Sequence, residues 1–362
     1  MSIPHQPIRK ILCMRLRSMG DAVLMTPTLQ ALRKGLPEAE VHVALDQELV
    51  ALFEDHPHVD RVHELRRSGL DKFRLAIRLL RSRFDAVLNF HGGPTSAWLT
   101  LVTGAPVRVG QAIYRNGFVY NRSVATPEKA LQDPNATHTV HNQASLITAL
   151  GLQVQDFSLR LEVTSSARQR LNTRPEMQQL SSSSYIVFQP TASFPSKQWP
   201  AEHFLDVARE LKYRWGHEVI FSLPRAPRLG RQESREEERA DAEALALPFL
   251  EDLYAPEFPV LFDLPLDELM ALMCGASLYV GNDSGPMHMA TAFKKPVVGV
   301  FGSSDPKRWH PWGVPHRVIW AGLDCSPCHG KSCANPDSFA CVKAIEVQEV
   351  LKAARELLDQ NS

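Results

Sequence analysis

Strand-like and helix-like stretches alternate along most of this 362-residue chain. Short runs of apolar residues predict buried strands, and apolar residues spaced three or four apart predict helices between them. In the first 90 residues the predicted strands are 8–16, 41–45, 61–65 and 84–90, and the predicted helices are 22–34 and 70–83. Such repeated alternation is typical of an α/β fold with a parallel, doubly wound sheet.

The same order of strand, polar turn and helix begins again at Tyr185, directly after a run of serines at 181–184. Serines contribute little packing surface, so this run is the best linker candidate in the chain. A chain of 362 residues also exceeds the usual size of a single core. We therefore predict two domains, with the boundary between residues 180 and 181.

The most informative polar turn lies within 277–306, between apolar runs that predict two strands. Pro286 is favoured at the first position of the short helix between them, and Ser284 or Gly285 can cap it. Free backbone N–H groups and the positive end of the helix dipole make such a turn a natural phosphate site. His288 is either a neutral core histidine or, with Asp283, part of that site.

A second polar turn follows the first predicted strand and contains Gly20 and Asp21. Ligands of α/β sheets bind beyond the carboxyl ends of the strands. An aspartate there can act as a general base that accepts a hydroxyl proton. It can equally be an ordinary helix cap.

A third turn follows the strand that begins at Tyr185 and contains Thr191, Ser193 and Lys197. Lys197 could neutralise a diphosphate as a compact positive charge. Alternatively, it is a surface lysine next to a core-packing Trp199.

Several functional classes are disfavoured. No GxGxxG follows a predicted strand and no GxxxxGK[ST] is present, which argues against NAD-dependent and P-loop enzymes. Lys plus Arg and Asp plus Glu are both 40, so composition gives no sign of nucleic-acid binding. The amino terminus lacks a signal-peptide pattern, and no apolar run reaches the roughly 18 residues of a membrane span. A soluble, cytoplasmic protein is expected.

Four cysteines near the carboxyl end, Cys325, Cys328, Cys333 and Cys341, form the pattern C-x2-C-x4-C-x7-C, with His329 nearby. Clustered thiols raise zinc or an iron–sulfur cluster as possibilities. Only the first spacing suits a metal, so a purely structural cysteine cluster is the other interpretation, and we assign no metal.

The segment 61–83 holds eight basic and two acidic residues. It is either a solvated helix face or a surface for an anionic acceptor or a membrane.

Four separated stretches resemble glycosyltransferase family 9, the ADP-heptose:lipopolysaccharide heptosyltransferases of Gram-negative bacteria. They read RSMGDAVLMTPTLQALR, QPTASFPSKQWP, GNDSGPMHMATAFKKPVVGVFGSSDP and CSPCHGKSCANPDSFACVKAI, and the third is highly specific. The resemblance covers nearly the whole chain and implies a GT-B architecture, in which two Rossmann-like domains face each other across a cleft. Acceptor binding is then expected in 1–180 and nucleotide-sugar binding in 181–343, with the last helix, in 344–362, packing back on the first domain.

The resemblance also implies roles for individual residues. Asp21 would be the catalytic base and Lys197 would contact the departing diphosphate. The expected donor-binding residues are Thr191, Ser193, Lys197, Asp283, Ser284, Gly285, Met287 and His288. The expected acceptor-side residues are Ser18, Met19, Gly20 and His91. An acidic donor contact of the family has no unique counterpart here, because Glu233, Glu236, Glu237 and Glu238 are all candidates.

The implied activity is transfer of a heptose, or a related sugar, from ADP-heptose to the lipopolysaccharide inner core. Inversion of the anomeric carbon and independence of metal and cofactor are expected, as is peripheral contact of a cytoplasmic enzyme with the inner membrane. The alternatives are a nucleotide-sugar epimerase, which can share this architecture, and a noncatalytic nucleotide-sugar-binding protein.

Overall fold

Two six-stranded sheets, in which neighbouring strands run parallel, form the framework of the chain. The computed structural model describes residues 7–66, 68–224, 247–328, 333 and 335–360. The strands are β1 Lys10–Met14, β2 Glu40–Asp46, β3 Arg61–Leu65, β4 Ala86–Asn89, β5 Val107–Gln111, β6 Arg122–Val124, β7 Tyr185–Gln189, β8 Glu218–Leu223, β9 Val260–Phe262, β10 Leu278–Asn282, β11 Val297–Phe301 and β12 His316–Trp320.

The helices connect these strands in the alternation that the sequence predicts. The α-helices are α1 Met19–Leu24, α2 Thr26–Gly35, α3 Gly69–Ser82, α4 Pro94–Val102, α5 Pro127–Ala130, α6 Thr139–Ser145, α7 Ser165–Asn172, α8 Pro175–Gln178, α9 Ala201–Arg209, α10 Leu247–Tyr254, α11 Leu266–Gly275, α12 Gly285–Ala292, α13 Pro306–Trp309, α14 Ala340–Lys343 and α15 Val347–Asp359. Short 3₁₀ turns span Gln47–Leu52, Gly117–Val119, Leu146–Leu150 and Pro195–Lys197, and a π turn spans Glu210–Arg214. The predicted α/β fold with doubly wound parallel sheets is confirmed.

The strand order is β3-β2-β1-β4-β5-β6 in the first sheet and β12-β11-β10-β7-β8-β9 in the second. In each sheet the chain starts in the middle, builds outward on one side and then returns to build on the other. The order therefore reverses between β1 and β4, and between β7 and β10. These are the switch points at which doubly wound sheets bind ligands.

The central strands consist mainly of apolar residues, because helices cover both faces of each sheet. Every residue of β7, β10 and β11 is buried. The core on the second sheet includes several large aromatic side chains, among them Phe188, Trp199, Phe221 and Tyr254. Such cores hold the strand ends, and hence the turns at the switch points, in fixed positions.

The chain divides into two compact units between Glu162 and Val163, 18 residues before the predicted boundary at 180/181. Helix α7 explains the difference, because it packs against α11 in the second unit. Glu268 of α11 accepts hydrogen bonds from Arg170 Nε at 3.2 Å and from Arg174 Nε at 2.6 Å. The serine run at 181–184 lies on the surface just before β7 and does not separate the units.

The last helix, α15, belongs to the second unit. It packs on β10, β11, β12 and α9. The reason is its strongly amphipathic pattern, which buries Val350, Leu351, Ala353, Ala354 and Leu357 in the core of the second sheet. None of the helices in the described part of the chain has the length and apolar character needed to cross a bilayer.

Candidate active site

In the first unit, the turns that follow β1 and β4 lie next to each other at the switch point. Asp21 occupies the third position of α1, directly beyond β1, and His91 follows β4. Both residues were predicted from the sequence, and the parallel pairing of β1 with β4 places their two turns at one sheet edge.

The carboxylate of Asp21 is held by three side chains. Arg15 forms an ion pair with Oδ2, and Ser18 Oγ donates a hydrogen bond to the same oxygen at 2.7 Å. Gln143 Nε2, from α6, donates to Oδ1 at 3.4 Å. Only 8% of Asp21 is exposed. The carboxylate is therefore fixed in orientation, with limited access from solvent.

No side chain caps the start of helix α1. Asp21 therefore does not act as the helix cap that the sequence allowed as an alternative. Ser18 is the residue at the capping position, and its φ of 70° lies in the left-handed region that non-glycine residues rarely adopt. This backbone conformation lets the Ser18 hydroxyl bind Asp21 and not an N–H group of the helix. Such strain is concentrated at functional sites.

The turn after β4 is shaped by Asn89, whose side-chain oxygen accepts hydrogen bonds from His91 N at 2.9 Å and Gly92 N at 3.0 Å. Gly92 has a φ of 69°, and a Cβ there would lie 2.5 Å from the Tyr114 ring. Only glycine fits, so Tyr114 packs directly over the turn. Burial, with the neighbouring charges of Arg15 and Arg17, lowers the pKa of His91 to about 4. His91 is thus a neutral imidazole at physiological pH.

In the second unit, the turns after β7 and β10 bring Lys197 and Asp283 together. Lys197 Nζ lies 2.8 Å from Asp283 Oδ2, and His288 Nε2 lies 4.0 Å from Asp283 Oδ1. The side chain of Asp283 is 3% exposed, whereas that of Lys197 is 26% exposed. The carboxylate of Asp283 is therefore buried, whereas the ammonium group of Lys197 is partly exposed at the surface of the turn.

A hydrogen-bonded framework ties these two turns to each other. Asn282, the last residue of β10, accepts a hydrogen bond from Trp199 N at 3.1 Å and donates one to the carbonyl of Pro190 at 2.7 Å. The Trp199 indole donates to the carbonyl of Ile345 at 3.0 Å. Trp199 is a core residue, since it is 1% exposed.

Helix α12 begins at this site and has no side-chain cap. Ser284 is at the capping position with an extended backbone, and a proline occupies the first turn. Its first N–H groups and its dipole therefore favour an anion at this end.

The other predicted donor residues have different surroundings. Thr191 is buried and its hydroxyl accepts a hydrogen bond from Gln189 Nε2 at 2.9 Å, whereas Ser193 is exposed. The side chain of Met287 is fully buried and packs towards Gly299 in β11. Met287 therefore supports the turn from the core, and its side chain is not available to a ligand.

Two serines that the sequence reasoning did not select lie at the end of β11. Ser303 Oγ is 2.9 Å from Ser196 Oγ, and Ser303 N donates to the carbonyl of Ser196 at 3.1 Å. Ser304 is buried, and its hydroxyl has no hydrogen-bond partner within the described part of the chain. The GSSDP ending of the second apolar run was the available signal, since it follows a strand adjacent to β10.

The four clustered cysteines are all free thiols. They lie near the same turn, because Cys328 N donates to the carbonyl of Ser303 at 2.9 Å and Cys341 Sγ lies 4.0 Å from the carbonyl of Ser196. Burial and the nearby thiols raise the pKa of Cys341. No three histidine, cysteine or acidic side chains among the described residues are arranged to hold a metal. His329 and the candidate glutamates Glu233, Glu236, Glu237 and Glu238 lie outside those residues.

Two Rossmann-like parallel sheets with polar turns at their switch points define a GT-B class α/β protein. The family profile described as glycosyltransferase family 9 (heptosyltransferase) matches residues 72–338, and the chain belongs to this family.

Individual relatives match over almost their full length. Lipopolysaccharide heptosyltransferase 3 of Escherichia coli K12 is 25% identical over 358 residues, covering 96% of this chain and 97% of that protein. Among solved structures, the glycosyl transferase family 9 protein of Veillonella parvula has a TM-score of 0.76 and 21% identity, covering 98% of this chain and 99% of that one. The E. coli ADP-heptose lipopolysaccharide heptosyltransferase II has a TM-score of 0.71 and 22% identity, covering 97% and 99%. At these identities the solved structures establish the fold.

Proposed function

We propose that this protein transfers a heptose from ADP-heptose to the inner core of lipopolysaccharide, with inversion at the anomeric carbon and without a metal ion. Membership of family 9 and the names of its relatives support the reaction class and the substrates. The observation that carries the proposal is the Asp21 carboxylate, which Arg15, Ser18 and Gln143 hold in one orientation at a switch point.

In the proposed reaction, a hydroxyl group of the acceptor attacks the anomeric carbon from the face opposite the nucleotide. Its proton passes to a carboxylate oxygen of Asp21 as the new carbon–oxygen bond forms. The bond between the anomeric carbon and the β-phosphate oxygen breaks, and the diphosphate leaves with the electron pair. General-base assistance of this kind typically contributes ~10²–10⁴ in rate.

The departing diphosphate needs positive charge, and the second unit can supply it. Lys197 presents its ammonium group at the turn, and the uncapped start of α12 presents backbone N–H groups. Donors fixed in place before the reaction stabilise developing charge at little reorganisation cost. These groups support the metal-independent form of the proposal. Asp283 positions Lys197 through their ion pair.

The acceptor is part of a lipid-linked molecule, so we also propose that the enzyme is cytoplasmic and contacts the inner face of the inner membrane peripherally. No transmembrane segment is required for such contact, because an amphipathic protein surface suffices.

A donor screen tests the function. The protein is incubated with ADP-heptose, UDP-sugars and GDP-sugars, each with and without lipopolysaccharide that lacks heptose, and the released nucleotide is measured. We expect ADP to be released from ADP-heptose only when acceptor is present. Release of UDP or GDP would contradict the donor assignment. Conversion of the nucleotide sugar to an isomer without any acceptor would identify an epimerase instead.

A further inference from the structure

Helix α3 exposes an apolar stripe to solvent. Leu70, Phe73 and Leu80 are 71%, 60% and 52% exposed. The helix also buries Leu75, Ala76 and Leu79 against the sheet, so both sides of it carry apolar residues. A surface helix normally carries polar residues on the face that meets water, so the exposed apolar residues of α3 indicate that this face contacts something else.

The neighbouring helix extends this apolar surface. Helix α4 packs against α3 and exposes Trp98 and Leu101, which are one turn apart. The described residues include ten large apolar side chains that are exposed, and five of them lie on these two short helices. Single exposed apolar residues are ordinary, whereas a concentration of this kind marks an interaction surface.

A strongly basic groove borders the stripe. Its volume is about 650 Å³, and its lining residues are Lys10, His42, Arg61, Arg74, Ile77, Arg78, Arg81 and Ser82. The lining contains five cationic side chains and no carboxylate. Within the described residues, no carboxylate pairs with Arg61, Arg78 or Arg81, whereas Arg74 pairs with Asp71 at 3.1 Å and Lys10 with Glu40 at 3.0 Å.

The groove lies away from the candidate active site of this unit. Lys10 and Arg61 are the first residues of β1 and β3, so they mark the amino edge of the sheet. Asp21 and His91 lie beyond the carboxyl ends of β1 and β4. The basic groove is therefore separate from the residues around Asp21.

On the helical wheel, the arginines and the apolar residues of α3 form adjacent stripes. At 100° per residue, Arg74, Arg78 and Arg81 share one side of the exposed face, and Phe73, Ile77 and Leu80 share the other. Arginine on a helix beside exposed leucine, phenylalanine and tryptophan is the composition of helices that lie in a membrane interface. Tryptophan in particular prefers the headgroup level.

We propose that the surface formed by α3, α4 and the basic groove docks the protein on a membrane of anionic phospholipid. The apolar stripe enters the boundary between headgroups and acyl chains, and the arginines bind the lipid phosphates. A second copy of the chain is a poor occupant, because two such surfaces would bring their unpaired arginines together. The proposed function includes contact with a membrane, and this inference names the surface that makes it. It rests on the proposed function only in taking the inner membrane as the membrane that is bound.

Sedimentation with lipid vesicles tests the proposal without any sugar substrate, so its outcome is independent of transferase activity. The purified full chain is mixed with vesicles of phosphatidylcholine alone, or with 30% phosphatidylglycerol as a chosen anionic fraction of about physiological magnitude. We expect binding to the anionic vesicles only, and weaker binding as salt screens the charges. No binding to anionic vesicles would overturn the proposal.

Two sets of variants locate the surface. Reversal of three charges in Arg74→Glu, Arg78→Glu and Arg81→Glu together should weaken vesicle binding by more than about tenfold, and Phe73→Ser with Leu80→Ser should do so with the charges intact. The matched control reverses three exposed charges of the second unit, Arg214→Glu, Lys343→Glu and Lys352→Glu. Thermal unfolding checks that each variant is folded.

Equal loss of binding in the control would mean that net charge alone attracts the protein and would overturn the proposal. Unchanged vesicle binding in both the arginine variant and the Phe73→Ser and Leu80→Ser variant would place the contact elsewhere and would also overturn it. Sedimentation velocity adds a further check. A dimer of the wild type that the Phe73→Ser and Leu80→Ser variant dissociates would assign this surface to self-association and overturn the proposal.

Discussion

Each unit places a buried aspartate and a cation at the switch point of its sheet, but the two pairs are held differently. Asp21 is bound by Arg15, Ser18 and Gln143, so the carboxylate is the centre of its cluster. Asp283 is deeply buried and its partner Lys197 is the more exposed member. In the first unit the anion, Asp21, is the group that its neighbours hold in place. In the second unit the cation, Lys197, is the group that a ligand can reach.

This difference suits two halves of one reaction. A base must be oriented towards a single hydroxyl group, which is what three donors on one carboxylate achieve. A diphosphate needs a positive charge that can reach it, together with backbone N–H groups such as those at the start of α12. In the proposed reaction, the same fold provides a proton acceptor at one switch point and a leaving-group site at the other.

The largest expected effect comes from Asp21→Asn. The amide keeps the shape of the side chain but cannot accept the proton, so turnover should fall by ~10²–10⁴ while ADP binding stays unchanged. Steady-state transfer to heptose-free lipopolysaccharide measures this. The control is Asp133→Asn, an exposed carboxylate of the same unit. Retained turnover in Asp21→Asn would remove this residue from the role of base.

The next effect concerns Lys197→Met, which should lower kcat/KM for the donor by about 10–100-fold, because a hydrogen bond to a charged group is typically worth about 1.5–3 kcal/mol. The substitution also leaves Asp283 buried without its partner, so some loss of thermal stability is expected. The double variant Lys197→Met with Asp283→Asn separates these effects. Its stability should recover and its donor use should not. Recovery of both would show that Lys197 has only a structural role.

A smaller effect is expected at Ser18, where Ser18→Ala and Ser18→Gly form a matched pair. Both remove one of the three groups that hold the Asp21 carboxylate, and Arg15 and Gln143 still orient it. Turnover should therefore fall by only about 2–10-fold in each, the loss expected from about 0.5–1.5 kcal/mol of hydrogen bonding. Glycine relieves the positive φ and alanine does not. A normal rate in Ser18→Gly alone would mean that the backbone conformation matters and the hydroxyl does not.

The two units should also differ in their response to acid. Burial lowers the pKa of His56 and of His91 to about 4 and that of His63 to about 3, and all three residues are in the first unit. The unfolded chain takes up these protons near pH 6.5, whereas the folded chain resists until the lowered values. The contribution of these histidines to stability is therefore complete above about pH 6.5 and decreases as the pH falls towards 4, by up to about 1.4 kcal/mol per pH unit for each histidine.

Thermal unfolding of His56→Gln between pH 7 and 5 measures this effect. The variant should lose less stability on acidification than the wild type does. His310→Gln is the control, because His310 is a histidine of the second unit. Identical pH dependence in the wild type and in His56→Gln would contradict the prediction.

Hydrophobic patterning was sufficient to predict the class of fold, because strand and helix periods are local properties of the chain. The predicted extended segment at 61–65 coincides with β3, and the final helix, predicted within 344–362, spans Val347–Asp359. Its position in the second unit was not predictable from the pattern, which shows that one face is buried but not against which sheet.

The candidate sites were predictable to the extent that they lie in short polar turns at strand ends. The role of Gln143 was not, since it lies 122 residues from Asp21 and its helix has no distinctive motif. The contact between Lys197 and Asp283 spans 86 residues and follows from the pairing of β7 with β10. Similarly, the boundary at Glu162 depends on the packing of α7, which is a tertiary property.

The most direct test of the division between the two switch points is the affinity for ADP, measured by titration calorimetry on three proteins. We predict that the wild type and Asp21→Asn bind ADP equally well, whereas Lys197→Met binds it about 10–100-fold more weakly. Equal weakening in both variants would contradict the account, because the two aspartate–cation pairs would then serve one site and not two separate steps of the reaction.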